Sequence, residues 1–359
     1  MYKLTPYPIT PIGSFIGIVL SLLPLFSGVR SLSLGVWGFA IWTAVGNFIV
    51  FVNTTLWHDN VDDIAPVWCD IATKLDTGAA FGVSASSFCI SLCLYKTTHY
   101  LVYLETQKQR RRAVFYELLL IIGLPILLMG LSIVIQPFRF EIVEEEGCVQ
   151  TLYSYLGYLI ACAPSLILSL ACLVLAPLTL RIFIRQRKAM NKFLQSNQHM
   201  TRGRYNRLIV MTCMDAILNL SPAIIVIVTN AKAGEDSPYN HPFISWKFIH
   251  DDLVPGFSFS SIIQVPASEW STDTGSVVSV KWNEWYYVAV AIGFFAIFGT
   301  NPEMRRHYRS AIWFIPEHLG VKKYASSESG SNPDVAVNSD LELHQCQNRI
   351  EQLPRINFG

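Results

Sequence analysis

Seven stretches of this chain are apolar for about 20 residues each, and that repetition constrains the fold more than any other feature. A helix rises about 1.5 Å per residue, so about 20 residues cross a hydrocarbon layer about 30 Å thick with every backbone N–H and C=O bonded internally. The stretches are 9–29, 34–52, 71–95, 113–135, 156–180, 208–229 and 284–300, the last being the shortest. Composition agrees: 52% of residues are hydrophobic and only 15% charged, against about 25% charged in soluble chains. The expected fold is an all-α membrane protein, a seven-transmembrane-helix bundle.

Charge sets the orientation. Of the 27 Lys and Arg residues, 21 fall on one side of the spans and five on the other, with Lys74 inside a span. By the positive-inside rule the N-terminus lies outside and the C-terminus in the cytoplasm. The first span lacks a small-residue cleavage site and reads as a retained helix preceded by about eight residues. Residues 1–300 then form the seven-span domain. Residues 301–313, with Met304, Tyr308, Ala311 and Ile312 on one face, predict an amphipathic inner-leaflet helix, and 314–359 a largely disordered cytoplasmic tail.

Several functions drop out. A net charge of +1 offers no basic field for nucleic acid. Eight cysteines without a Cys-x-x-Cys pair, and histidines all expected in loops or the tail, argue against metal and haem chemistry. No Lys stands in the seventh span to hold retinal, and no catalytic constellation is visible, so neither an enzyme nor a cofactor is expected. A receptor and a seven-span transporter remain, and the transporter should show matched internal repeats that this chain lacks.

Ionisable residues in hydrocarbon are costly and mark candidate sites. Asp70 and Lys74, four apart on one helix face, are expected to neutralise each other or to meet a ligand. Asp76 is expected in a wet outer cavity; Asp215 and Glu117 are expected to pair with nearby inner cations, with proton transfer as the second reading. The small-residue rows Gly13, Gly17, Ser21 and Gly78, Gly82, Ser86 predict close helix packing within the chain, with a homodimer contact through span one as the second reading. Pro222, beside Asn219 and Ser221, predicts a hinge in span six. Cys69 and Cys148 are the only two cysteines in expected outer positions, so theirs is the one disulfide the topology permits. The sequon at Asn53 sits too near the membrane for easy glycosylation.

Motifs in the loops go further. Pro6 to Ile9, then Asn47, Phe51, Asn53 and Trp57, then Trp68-Cys69-Asp70-Ile71 with Thr73-Lys74, Gly78 and Gly82, occur in order. Arg139 to Glu144, Gly147-Cys148, Arg204-Tyr205, Arg207-Leu208, Ser245-Trp246, His250, Phe257-Ser258 and Val265-Pro266 follow. Together they resemble the fungal mating pheromone receptors of the lipopeptide type, class D G-protein-coupled receptors, nearly end to end. The resemblance implies a plasma-membrane receptor for a farnesylated, methyl-esterified peptide that activates a heterotrimeric G protein. It implies ligand contacts at Asp70, Lys74, Asp76, Glu144, Trp246 and His250, under a third outer loop of about 54 residues. The inner loop 181–207, with eight cations and no acid, suits an acidic partner or anionic membrane lipids. Arg202, Arg204 and Arg207, with Arg110, Arg111 and Arg112, are the expected G-protein surface. Leu92 and Cys93 stand where the family usually carries basic residues, which bears on coupling strength.

Overall fold

A computed structural model describes residues 4–26, 33–99, 107–150, 152–185, 209–214, 217–218, 220, 245–252 and 258–299. All of them belong to one unit, 1–307. The basic loop with Arg202, Arg204 and Arg207, together with Asp215, Asn219, Pro222, the inner-leaflet helix and the tail, lies outside the described residues.

Long apolar runs become helices because hydrocarbon offers no backbone partners. They are α1 (Ile9–Leu22), α2 (Leu34–Leu56), α3 (Pro66–His99), α4 (Gln107–Leu118), α5 (Leu124–Ile135) and α6 (Tyr155–Arg185). Four spans among the described residues are long and apolar enough to cross a membrane: α2, α3, α4 joined to α5, and α6. A five-residue π turn, Leu119–Gly123, joins α4 to α5. Pro125 cannot give Ile121 O the usual i−4 bond, and Trp42 Nε1 donates to that carbonyl at 2.9 Å instead. α3 sits innermost, and a core of Phe39, Val83, Ile90, Val290 and Phe294 fills the space between it, α2 and the last helix.

That helix, α8 (Thr274–Phe298), the last among the described residues, begins ten residues before the expected Glu284. Its N-cap is Asp273, whose carboxylate accepts from Ser276 N at 2.7 Å; the same bonds hold that carboxyl below the usual range. Charged Lys281 and Glu284 fit inside the helix because they pair with each other. The loop ahead of α8 is correspondingly shorter than expected, and it is not structureless. It contains a strand, β3 (Ile262–Val265), and a short helix, α7 (Ala267–Trp270).

The all-α expectation is therefore incomplete. β1 (Phe140–Val143) pairs antiparallel with β2 (Gly147–Val149) and parallel with β3, giving a sheet of order β2-β1-β3 at the end expected outside. All four β1 residues are buried, over a cluster of Trp57, Cys69, Phe140, Ile142 and Cys148. The sheet unites two loops that are far apart in sequence into one cap.

Both small-residue rows face neighbours within the chain. A Cβ on Gly82 would meet the Trp42 ring, and one on Gly17 would meet Asn47. Some buried hydroxyls are satisfied locally, as where Ser21 Oγ donates to Gly17 O at 2.8 Å.

Candidate functional site

Three polar groups lie beneath or beside the cap. The first is at the start of α3, where the expected Asp70–Lys74 pair is replaced. Arg139, entering β1, takes the Asp70 carboxylate with two bonds, Nε to Oδ1 at 2.9 Å and Nη2 to Oδ2 at 2.5 Å. A planar fork matches a carboxylate better than an ammonium on the same helix. These bonds hold the guanidinium proton more tightly than usual. Lys74 turns instead to neutral oxygens: Ser132 Oγ at 3.0 Å, Gln150 Oε1 at 3.3 Å and Gln136 Oε1. Asp70 and Arg139 are both over a third exposed, so Arg139→Gln is expected to cost less than about 1 kcal/mol. The D70R/R139D exchange should return the thermal midpoint to near wild type, and a loss of several kcal/mol in the single variant would refute this account.

The second group is buried, and sequence reasoning missed it. In the β1–β2 turn Glu145 takes the left-handed conformation, φ 73°, rare for a residue with a side chain. It is held there by its own N–H, which donates to Trp57 O at 2.8 Å, and by its carboxylate. Oε1 accepts from Thr5 N at 2.5 Å and Oε2 from Lys281 Nζ at 2.6 Å. Lys281 Nζ also donates to Thr5 Oγ1 at 2.6 Å and to Glu284 Oε2 at 3.0 Å, and Thr10 Oγ1 donates to Glu284. One ammonium thus joins the N-terminal segment, the tip of the cap and α8. Burial pushes the Glu145 carboxyl up, and Lys281 pulls it back part of the way. The neighbouring Glu146 is pushed up to about 8 by burial, against a bond from Asn283 that lowers it. The one signal available in the sequence was the i, i+3 spacing of Lys281 and Glu284.

The third group contains two expected ligand residues. His250 is buried and stacks on the half-exposed Trp246 ring, centroids 3.8 Å apart, with Phe259 at 5.0 Å. Its Nδ1 lies 2.8 Å from Trp246 O and its Nε2 3.3 Å from Ile133 O, which fixes the ring between the cap and α5.

The remaining expected residues are placed separately. Glu144 accepts from Ala267 N through Oε2 at 2.6 Å and serves the cap itself. Asp76 is half-buried and accepts from Tyr287 OH at 3.1 Å; the Tyr287 carbonyl accepts from Asn47 Nδ2 at 2.9 Å, linking α3, α8 and α2. Asn53 is buried, accepts from Trp68 Nε1 at 2.8 Å and donates to Cys148 O, so its amide is committed to the cap. Cys69 and Cys148 are joined, with Cα atoms 5.2 Å apart, pinning β2 to the start of α3. Arg110, Arg111 and Arg112 are exposed in the first turns of α4. Among the described residues no three His, Cys, Asp or Glu side chains converge as a metal ion would require.

The pattern of the family described as Pheromone A receptor matches residues 9–319. The chain is 32% identical over 337 residues to the Pheromone B alpha 2 receptor of Schizophyllum commune, covering 90% of this chain and 51% of that protein. It is 29% identical over 305 residues to Pheromone receptor 1 of Mycosarcoma maydis, covering 84% and 83%. The Pheromone M-factor receptor of Schizosaccharomyces pombe is 22% identical over 271 residues, covering 73% and 70%. The chain spans about half the length of the Schizophyllum relatives it matches.

Proposed function

The chain belongs to the pheromone A receptor family, and from that premise we propose that it is a fungal plasma-membrane receptor that binds a lipidated mating peptide and activates a heterotrimeric G protein. The family is one of receptors, not enzymes. The peptide carries a farnesyl chain and a C-terminal methyl ester in this reading. The observation that supports it best is the cap: two distant loops form one sheet fastened to α3 by Cys69–Cys148 and to α8 by Lys281. An external ligand that moves the cap can therefore act on the bundle.

Ligand contact falls at the cap's rim. Trp246 offers an exposed ring backed by His250, and Lys74 offers an ammonium that among the described residues is held by neutral oxygens, suited to peptide carbonyls. His250 backs the Trp246 ring, and Asp70, Asp76 and Glu144 complete the proposed ligand-contact set, each also bonded within the bundle or the cap. A farnesyl chain partitions into hydrocarbon, so it approaches from the lipid side. On the cytoplasmic side Arg202, Arg204 and Arg207 meet the G protein, with Arg110 to Arg112 beside them. Pro222 is the hinge, and residues 301–313 and 314–359 form the inner-leaflet helix and cytoplasmic tail.

The test is expression in a heterologous fungal cell with a mating-pathway reporter, challenged with a panel of farnesylated peptides. At least one peptide should activate the reporter. Neutralising Arg202, Arg204 and Arg207 together should abolish stimulated nucleotide exchange and leave peptide binding nearly intact, apart from affinity lent by the G protein through reciprocal coupling. Silence across the panel at normal surface levels would favour the transporter reading.

A further inference from the structure

α4 divides its cations between two faces. Lys108, Arg111, Arg112, Phe115, Tyr116 and Leu119 recur at helical spacing and form one stripe, every member exposed. With Gln107, the first five line an open cleft of about 470 Å³. Arg110 falls on the opposite face, in line with half-buried Ala113 and Glu117. Lys108, Arg111 and Arg112 pair with no acid among the described residues. Below them the Phe115 and Tyr116 rings are 63% and 64% exposed, too apolar a surface for water.

α6 repeats the arrangement in reverse chain order. Pro177, Leu180, Arg181, Ile184 and Arg185 line an open cleft of about 550 Å³, with the arginines at the end away from the cap. Since α4 begins at that end and α6 finishes there, both helices put cations at one membrane depth and apolar side chains further in.

We propose that the Lys108–Arg111–Arg112 stripe binds the head group of a polyanionic phospholipid, a phosphorylated phosphatidylinositol, with its acyl chains lying along Phe115, Tyr116 and Leu119. Three cations with no acid paired to them among the described residues call for more than one phosphate. An apolar floor continuous with those cations calls for an amphiphile, because a soluble anion would leave both rings uncovered. An acidic protein would have to strip lipid from the rings to reach the same stripe. The proposal divides the arginine triplet: Arg110 stays with the G-protein surface and Arg111 and Arg112 face lipid. Binding needs neither pheromone nor G protein, so the pheromone reading and this one can fail separately.

The test titrates the purified full-length receptor in neutral detergent with fluorescent phosphatidylinositol 4,5-bisphosphate, using phosphatidylcholine and inositol trisphosphate as comparison probes. The bisphosphate lipid should bind at least tenfold more tightly than either. Each surface cation contributes about fivefold, so R111Q/R112Q should weaken binding roughly 25-fold, and Arg110→Gln should keep it within twofold. F115A/Y116A should weaken the lipid and leave inositol trisphosphate unchanged. A matched thermal midpoint excludes misfolding, and the charge-keeping R111K/R112K variant should retain most of the affinity. Equal loss with Arg110→Gln, equal affinity for inositol trisphosphate, or an unaffected R111Q/R112Q variant would overturn the proposal.

Discussion

Replacing Lys281 by Met is expected to destabilise the receptor by about 3–5 kcal/mol at neutral pH, because it strands two buried carboxylates at once. Glu145 and Glu284 are only 5% and 1% exposed at the side chain, and Lys281 18%, so solvent screens this cluster little. The ammonium also holds Thr5 Oγ1, so its loss removes one tie of the N-terminal segment and leaves the segment's own bonds to Glu145 and Glu284 directed at uncompensated carboxylates. The defect should depend on pH with a definite sign. Burial already raises the Glu145 carboxyl above its unfolded value, and removing its cation raises it further. A raised carboxyl binds its proton more tightly in the fold, so its contribution is present in acid and is lost as pH rises through the folded value. The Lys281→Met variant should therefore melt near wild type in mild acid and fall behind it as the medium becomes neutral. The K281M/E145Q double variant should recover part of the loss at neutral pH. Thermal melts of purified receptor across that range are the measurement. A variant that matches wild type at neutral pH, or a deficit independent of pH, would refute the shared-ammonium account.

What the sequence revealed and what it hid have the same physical origin. Spans α2, α3 and α6 were legible because hydrocarbon forces internal bonding on any apolar run, whatever its neighbours do. Their small residues were legible for a related reason, since Gly82 against Trp42 depends mostly on local spacing. The cap was not legible, because β1 finds β3 across about 120 residues and nothing local announces a parallel partner. Phe140-Glu141-Ile142-Val143 has no clean alternation, since the sheet, helix ends and α8 enclose it from every side. Charge pairing failed similarly. The i, i+4 spacing of Asp70 and Lys74 is a local rule worth tenths of a kcal/mol, and a two-bond guanidinium arriving from β1 outcompetes it. The early start of α8 escaped notice because Lys281 and Glu284 lower the apolar average of that segment while satisfying each other.

Removing the Cys69–Cys148 bridge is expected to be the second large loss, and its pattern should separate the fold from the cap. The bridge closes a loop of 79 residues, long enough that reopening it releases considerable freedom in the unfolded chain; loss of such a bridge typically costs about 2–5 kcal/mol. Both cysteines are buried, 0% and 3% exposed, against Trp57, Phe140 and Ile142. The folded state loses the covalent tie between β2 and α3 and keeps the bonds of Asn53 to Trp68 and Cys148 O. Hydrogen exchange should therefore rise first in 140–149 and in 262–265, which rely on one another for pairing. The core of Phe39, Val83, Ile90 and Phe294 should hold its protection, because none of those side chains touches the bridge. C69A/C148A should behave like either single substitution, since each breaks the same bond, and all three should reach the cell surface at reduced levels. Two free thiols in the non-reduced wild-type protein would remove the premise. Unchanged exchange in the β strands of the double variant would show that the sheet is held by its hydrogen bonds and Lys281 alone, with the bridge adding nothing to the cap.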